Sequence, residues 1–244
     1  MNLTSSFIRV AAMQPDKVAV DDGTKRIRFG DLDDDSSRVA SFLIDNGIAA
    51  GDRVGVFLPN CAEYVVIAFG VWKAGAVLVP FNVAATGGSL RHTVSDSGVR
   101  IVFSDAAGAA RIRSDCLGLD VVEQMVGVAA LGAKEGRFSA HWCYAEALEA
   151  TPIPFPVTRL DSDNALLMYT SGSTGRPKGV QQTHRNTTTA VQATRDVWDL
   201  NENDGAVICT PFFHVGGMQL TTLPILMSGA TMHCISQVGC RPVA

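Results

Sequence analysis

The sequence predicts an open α/β fold in which strands alternate with helices. Three observations carry that expectation. Short apolar runs of strand length alternate with longer segments of helical spacing. Gly or Pro punctuates the junctions, as at Gly47, Gly75 and Pro80. Of 244 residues, 47% are hydrophobic and 18% charged, which supplies a core and argues against a disordered chain.

The elements follow in chain order. Val18-Ala19-Val20, Asp21-Asp22-Gly23 and Arg26-Ile27-Arg28-Phe29 read as strand, turn and strand. Leu32 to Asn46 is helical: Leu32, Val39, Ala40, Phe42 and Leu43 fall on one face, and Gly47 closes it. Asp31, Asp33 and Asp34 suit the positive end of that helix, so Asp33-Asp34-Asp35 reads as a solvated helix start rather than a metal site. Arg53 to Leu58 is a strand, Ala62 to Lys73 a helix ended by Gly75, and Val77-Leu78-Val79 a buried strand closed by Pro80. Ser89 to Ser97 is helical and Arg100 to Phe103 a further strand. Residues 104–160 are less regular, and Thr151-Pro152-Ile153-Pro154-Phe155-Pro156 reads as an extended linker. A lobe boundary is expected there, with a first lobe over 1–158 and a second over 159–244 that opens with the strand Ala165 to Tyr169.

Charge and composition exclude several function classes. With 20 basic and 24 acidic residues the formal charge is -4, and no Lys/Arg cluster stands out, so no nucleic-acid footprint is expected. A nucleotide would have to be gripped locally. The apolar run Val65 to Trp72 is too short to span a bilayer, and Met1 to Pro15 lacks the apolar stretch of a signal peptide. Cys61, Cys116, Cys143, Cys209, Cys234 and Cys240 form no Cys-x-x-Cys pair and sit in apolar surroundings, so buried free thiols and a cytoplasmic setting are expected.

The segment that carries chemistry is Tyr169-Thr170-Ser171-Gly172-Ser173-Thr174-Gly175-Arg176-Pro177-Lys178-Gly179. An apolar strand enters it and a strand-like stretch leaves it at Val180. Gly172, Gly175 and Gly179 permit close backbone approach, and successive N–H groups in such a loop can hold an anion. Thr170, Ser171, Ser173 and Thr174 add hydroxyl donors, and Lys178 adds a compact cation suited to phosphate oxygens. Pro177 fixes its own φ and so limits where Lys178 can go. The commoner phosphate loops are excluded. Pro177 precedes Lys178 and Gly179 follows it, against Gly-Lys-Ser/Thr, and no Gly-x-Gly-x-x-Gly occurs.

Thr170 to Gly179 resembles, without gaps, the signature phosphate loop of the adenylate-forming superfamily: acyl- and aryl-CoA synthetases, peptide-synthetase adenylation domains and luciferases. Pro15-Asp16-Lys17-Val18-Ala19, Gly51-Asp52-Arg53-Val54 and Lys73-Ala74-Gly75-Ala76-Val77-Leu78-Val79-Pro80 look like further motifs of that family, in its order. Pro211-Phe212-Phe213-His214-Val215-Gly216-Gly217 resembles the next, and its Phe-His favours acyl- or aryl-CoA ligases over amino-acid-activating domains.

The resemblance implies the N-terminal part of a large domain of open mixed sheets flanked by helices. It implies ATP-dependent conversion of a small carboxylic acid to an acyl-adenylate, then transfer to coenzyme A. Thr170, Ser171, Gly172, Ser173, Thr174, Gly175 and Lys178 would grip the β- and γ-phosphates, with Lys178 the leading contact and Thr174 near Mg2+. His214 would border the carboxylate pocket, where Gly216 and Gly217 allow a ligand to approach, and would change rotamer between half-reactions. His184 is expected to help start a helix, and Lys73-Ala74-Gly75 to serve packing and capping. His92, His141 and His233 show no constellation.

The family's Asn-x-Tyr-Gly-x-Thr-Glu segment, ribose-binding acid and C-terminal lysine domain do not occur in these 244 residues, and the register departs from the pattern after about Met232. The expectation is therefore a truncated, incomplete ligase, inert alone, with a complementing C-terminal polypeptide conceivable. A nucleotide-binding half-domain or a non-catalytic remnant is the alternative.

Overall fold

The structure is a computed structural model and describes residues 2–85, 87–119, 122–128, 141–170 and 175–235. Among the described residues seven strands form the larger sheet: β3 (Arg53–Phe57), β4 (Val77–Pro80), β5 (Ile101–Ser104), β6 (Gln124–Gly127), β7 (Trp142–Cys143), β8 (Asn164–Thr170) and β9 (Lys178–Thr183). Their order is β7-β6-β5-β3-β4-β8-β9. Every neighbouring pair is parallel except β8–β9, an antiparallel hairpin at the edge. A four-stranded sheet combines β1 (Val18–Asp21) and β2 (Arg26–Arg28) with β10 (Gly205–Ile208) and β11 (Thr231–Cys234), in the order β10-β11-β1-β2. Both sheets are thus mixed, and both draw strands from either side of residue 158.

Helix α1 (Leu3–Met13), α2 (Phe29–Asp45) and α3 (Ala62–Lys73) pack together around the main core. All twelve residues of α3 are buried, which its all-round apolar sequence requires. A Cβ on Gly70 would lie 2.5 Å from Val39 Cγ1, so glycine at this position lets α3 cross α2 closely. Trp72 Nε1 donates to the Ala165 carbonyl at 2.8 Å and ties α3 to β8. Lys73, only 1% exposed, spends its ammonium on the Asp33 carbonyl at 2.5 Å, Asp33 Oδ1 at 2.6 Å and Ser37 Oγ at 2.9 Å. The Lys73 motif is therefore a packing joint, as expected.

The other recurrent motifs are joints as well. Lys17 Nζ donates to the carbonyls of Glu202 and Gly229, binding the first strand to the turn before β11. Arg53 donates to the carbonyls of Ser97 and Gly98 at 3.1 and 3.0 Å, and Gly51 N to the Gly75 carbonyl at 2.9 Å.

Four expectations need correction. Helix α2 begins at Phe29, one turn before Leu32, because the Lys17 and Pro15 carbonyls accept from Phe29 N and Gly30 N at 2.9 Å each. Asp33-Asp34-Asp35 is consequently not a solvated helix start: Asp33 pairs with the buried Lys73, and only Asp34 is exposed. Residues 104–160 contain α5 (Ala106–Asp115), β6, β7 and α6 (Tyr144–Leu148), while Thr151 to Pro156 has no helix or strand. Among the described cysteines all are free, but Cys209 is exposed and Cys143 half-buried; Cys240 lies outside the described residues.

Candidate active site

Strand β8 runs into the loop and β9 leaves it, with Thr170 opposite Lys178 as the last pair of the ladder. β8 is held in the sheet by pairing with β4 at Leu78–Leu166. A Cβ on Gly179 would sit 2.9 Å from Leu167 Cδ1 and 3.3 Å from the Tyr169 ring, so glycine lets β9 lie close against β8 there. Gly175 adopts φ +87°, a left-handed conformation that glycine takes without strain. Lys178 is exposed, and no described residue pairs with its ammonium. Ser171, Gly172, Ser173 and Thr174 lie outside the described residues.

A cleft of about 140 Å³ lies against both arms of the loop, lined by Phe81, Asn82, Thr93, Tyr169, Thr170, Pro177 and Phe213, among others. It brings the loop and the Phe-His motif to one place, though they are separated in sequence. His92, on α4 (Gly87–Ser97), also reaches the loop: its Nε2 lies 2.9 Å from the Pro177 carbonyl. Asp96, one turn on, accepts the Tyr169 hydroxyl at 2.7 Å. Sequence reasoning left His92 without a constellation. The available signal was the polar stripe Ser89, His92 and Asp96 on a helix whose other face carries Leu90 and Val94.

His214 caps α8 (Val215–Gly217). Its Nδ1 accepts from Gly216 N at 3.2 Å, which leaves the ring proton on Nε2 of the exposed side chain. The turn before it is pinned by Asn60, whose amide donates to the Thr210 carbonyl at 3.0 Å and accepts from Phe212 N at 2.8 Å. Phe212 packs edge-on against buried Tyr64 at 5.2 Å. Gly217 is needed for the turn itself: a Cβ there would fall 2.1 Å from the Pro211 carbonyl oxygen. The fold therefore requires this glycine independently of any ligand. A π-helical turn, Met218–Thr222, follows and leads into α9 (Leu223–Met227).

A family model described as AMP-binding enzyme matches residues 7–242. The chain belongs to the AMP-binding enzyme family. A feruloyl-CoA synthase from an Amycolatopsis species is 32% identical over 225 residues, covering 92% of this chain and 42% of that protein. Syringomycin synthase SyrB1 of Pseudomonas syringae pv. syringae is 31% identical over 192 residues, covering 78% of this chain and 28% of that protein. The chain thus spans less than half the length of these curated relatives. An inhibitor-bound N-terminal domain of FACL13 from Mycobacterium tuberculosis superposes with a TM-score of 0.85 at 28% identity, over 98% of this chain and 58% of that one.

The remaining histidines of this chain take structural places. His184 opens α7 (His184–Trp198), behind the capping box of Thr183 and Asn186, and is buried. Burial, reinforced by the Arg159 charge, holds its imidazole below the ordinary value of 6.5. His141 Nδ1 accepts from Met125 N at 3.1 Å, and His233 lies 3.8 Å from Asp21. Among the described residues no group of three His, Cys, Asp or Glu could hold a metal ion, and no helix is long and apolar enough to cross a membrane.

Proposed function

We propose that this chain supplies the phosphate-gripping part of an acyl- or aryl-CoA ligase. The observation that carries the reading is the β8–β9 hairpin, which sets an exposed Lys178, unpaired among the described residues, opposite Thr170 at the foot of a glycine and hydroxyl loop. Membership of the AMP-binding family supports it.

In this reading a carboxylate oxygen attacks the α-phosphorus of ATP and the bond to pyrophosphate breaks. Negative charge gathers on the departing pyrophosphate. Lys178 and the loop donors, Thr170 to Gly175, stand ready to stabilise it, which makes their binding stronger in the transition state than in the ground state. The thiol sulfur of coenzyme A then attacks the acyl carbonyl, loses its proton to solvent, and AMP leaves. His214, presenting Nε2–H from a rigid turn, would stand beside the carboxylate. The described residues offer Mg2+ no carboxylate cage, so a magnesium ion would be carried on the phosphate oxygens with Thr174 as the expected hydroxyl contact.

The segments that the resemblance assigns to adenine and ribose are not in these 244 residues. The chain alone is expected to bind MgATP weakly, on the order of millimolar, and to form no acyl-adenylate. Acid-dependent exchange of pyrophosphate into ATP tests the reading, with this chain alone and joined or mixed with a C-terminal half from a relative. Exchange in the completed protein, reduced about 10²- to 10³-fold by Lys178→Ala, is the expected outcome. An unchanged rate in that variant removes the loop from the mechanism. Exchange by the chain alone refutes the need for a C-terminal half.

A further inference from the structure

Leu90, Thr93, Val94 and Ser97 bury one face of α4, and Leu90 and Val94 pack there in a cluster with Phe81 and Val102. The helix is also tied down elsewhere: Gly87 N donates to Asp115 Oδ2 at 2.7 Å and Arg91 to the Leu117 carbonyl at 2.8 Å. Its polar stripe is therefore held rigidly against the loop. A carbonyl only accepts, so His92 donates Nε2–H to Pro177 O at 2.9 Å. Asp96 accepts from Tyr169 at 2.7 Å. Tyr169 precedes the loop and Pro177 ends it, so one helix grips both shoulders.

The sheet itself stops controlling the backbone at the Thr170–Lys178 pair. The carbonyl that His92 holds belongs to the next peptide unit, the one that leads into Lys178. Rotation of that peptide would swing the lysine away from its partner strand. We infer that His92 and Asp96 are positioning residues that fix the spacing of the loop's two ends and the stance of Lys178, the residue after Pro177. The inference rests on the β8–β9 loop being a phosphate site.

Inorganic tripolyphosphate with magnesium is the probe, titrated into this chain and followed by phosphorus NMR, with the ligand-free melting midpoint recorded for each variant. His92→Ala is expected to weaken tripolyphosphate about fivefold, the size of one hydrogen bond. His92→Gln, whose amide can donate to the same carbonyl, is expected to recover most of that affinity. Asp96→Asn is expected to weaken binding less, since its amide oxygen still accepts. Loss of affinity in Lys178→Ala with none in His92→Ala overturns the inference and leaves the phosphate loop standing. Equal losses in His92→Ala and His92→Gln overturn it too. Wild-type affinity in Lys178→Ala removes the phosphate reading and this inference together.

Discussion

His214 and His184 show how differently two histidines of one chain are held. His214 is exposed, its ring oriented by a single bond from Gly216 N and its backbone set by Asn60 and the tight Pro211–Gly217 contact. Under the proposed function, His214→Ala is expected to lower the turnover of a completed enzyme while ATP affinity holds, because among the described residues its ring bonds to Gly216, outside the loop. Parallel measurement of ATP affinity and of the rate at saturating ATP checks this; a fall in affinity with an intact rate would sink it. His184 is buried, and its desolvated ring resists protonation. Below the ordinary value of 6.5 the unfolded chain takes up a proton that the folded chain refuses, so this residue lowers stability as pH falls and is silent above it. Urea midpoints at about pH 7.5 and about pH 5.5 are expected to converge in His184→Gln relative to the wild type. An unchanged pH slope in that variant would deny the buried ring any part in it.

At the scale of elements, apolar runs made some short strands legible, whereas α1, eleven residues long, was not read. α3 and the buried strands β3, β4 and β5 announce themselves because burial on all sides demands unbroken apolar runs. The phosphate loop was legible because its glycines, hydroxyls and lysine are contiguous. Within 104–160 the signal fails for physical reasons: β7 has two residues and α6 five, too few for a period to repeat, and α5 buries only Gly108, Ala109 and Ile112. The start of α2 was misread because its first N–H groups are satisfied by carbonyls of Pro15 and Lys17, which no local cap records. His92 escaped notice because its partner is 85 residues away. The α2–α3 crossing carries its own test. Gly70→Ala would drive a methyl into Val39, with Ser36 O only 3.1 Å away and unable to yield, and is expected to cost about 1–3 kcal/mol. Adding Val39→Ala is expected to return part of that loss in a double-mutant cycle by chemical denaturation. Full stability of the single variant would show the crossing to be looser than described.

For the whole molecule, the two sheets are not successive stretches of chain. β8 and β9 complete the sheet begun by β3, and β11 lies between β1 and β10, pairing Val20 with Met232 and Asp21 with His233 in parallel. The family match over 7–242 fits this closure, since it spans first strand and last alike. Thr231 Oγ1 donates to the Val18 carbonyl at 2.7 Å, and Lys17 reaches the Gly229 carbonyl at 2.5 Å, so β1 is fastened on one side to β2 and on the other to residues near 230.

That fastening sets an order of events on the ribosome. The β1–β2 hairpin emerges well ahead of its inner neighbour, which is translated about two hundred residues later. Throughout that interval the β1 edge stays open in addition to the β2 edge, the state most exposed to wrong partners and to proteases. Nascent chains stalled before Thr231 has cleared the exit tunnel are expected to be cut readily near Asp22-Gly23. Chains stalled after Cys234 has emerged are expected to resist, a difference that graded arrest lengths and brief protease pulses would reveal.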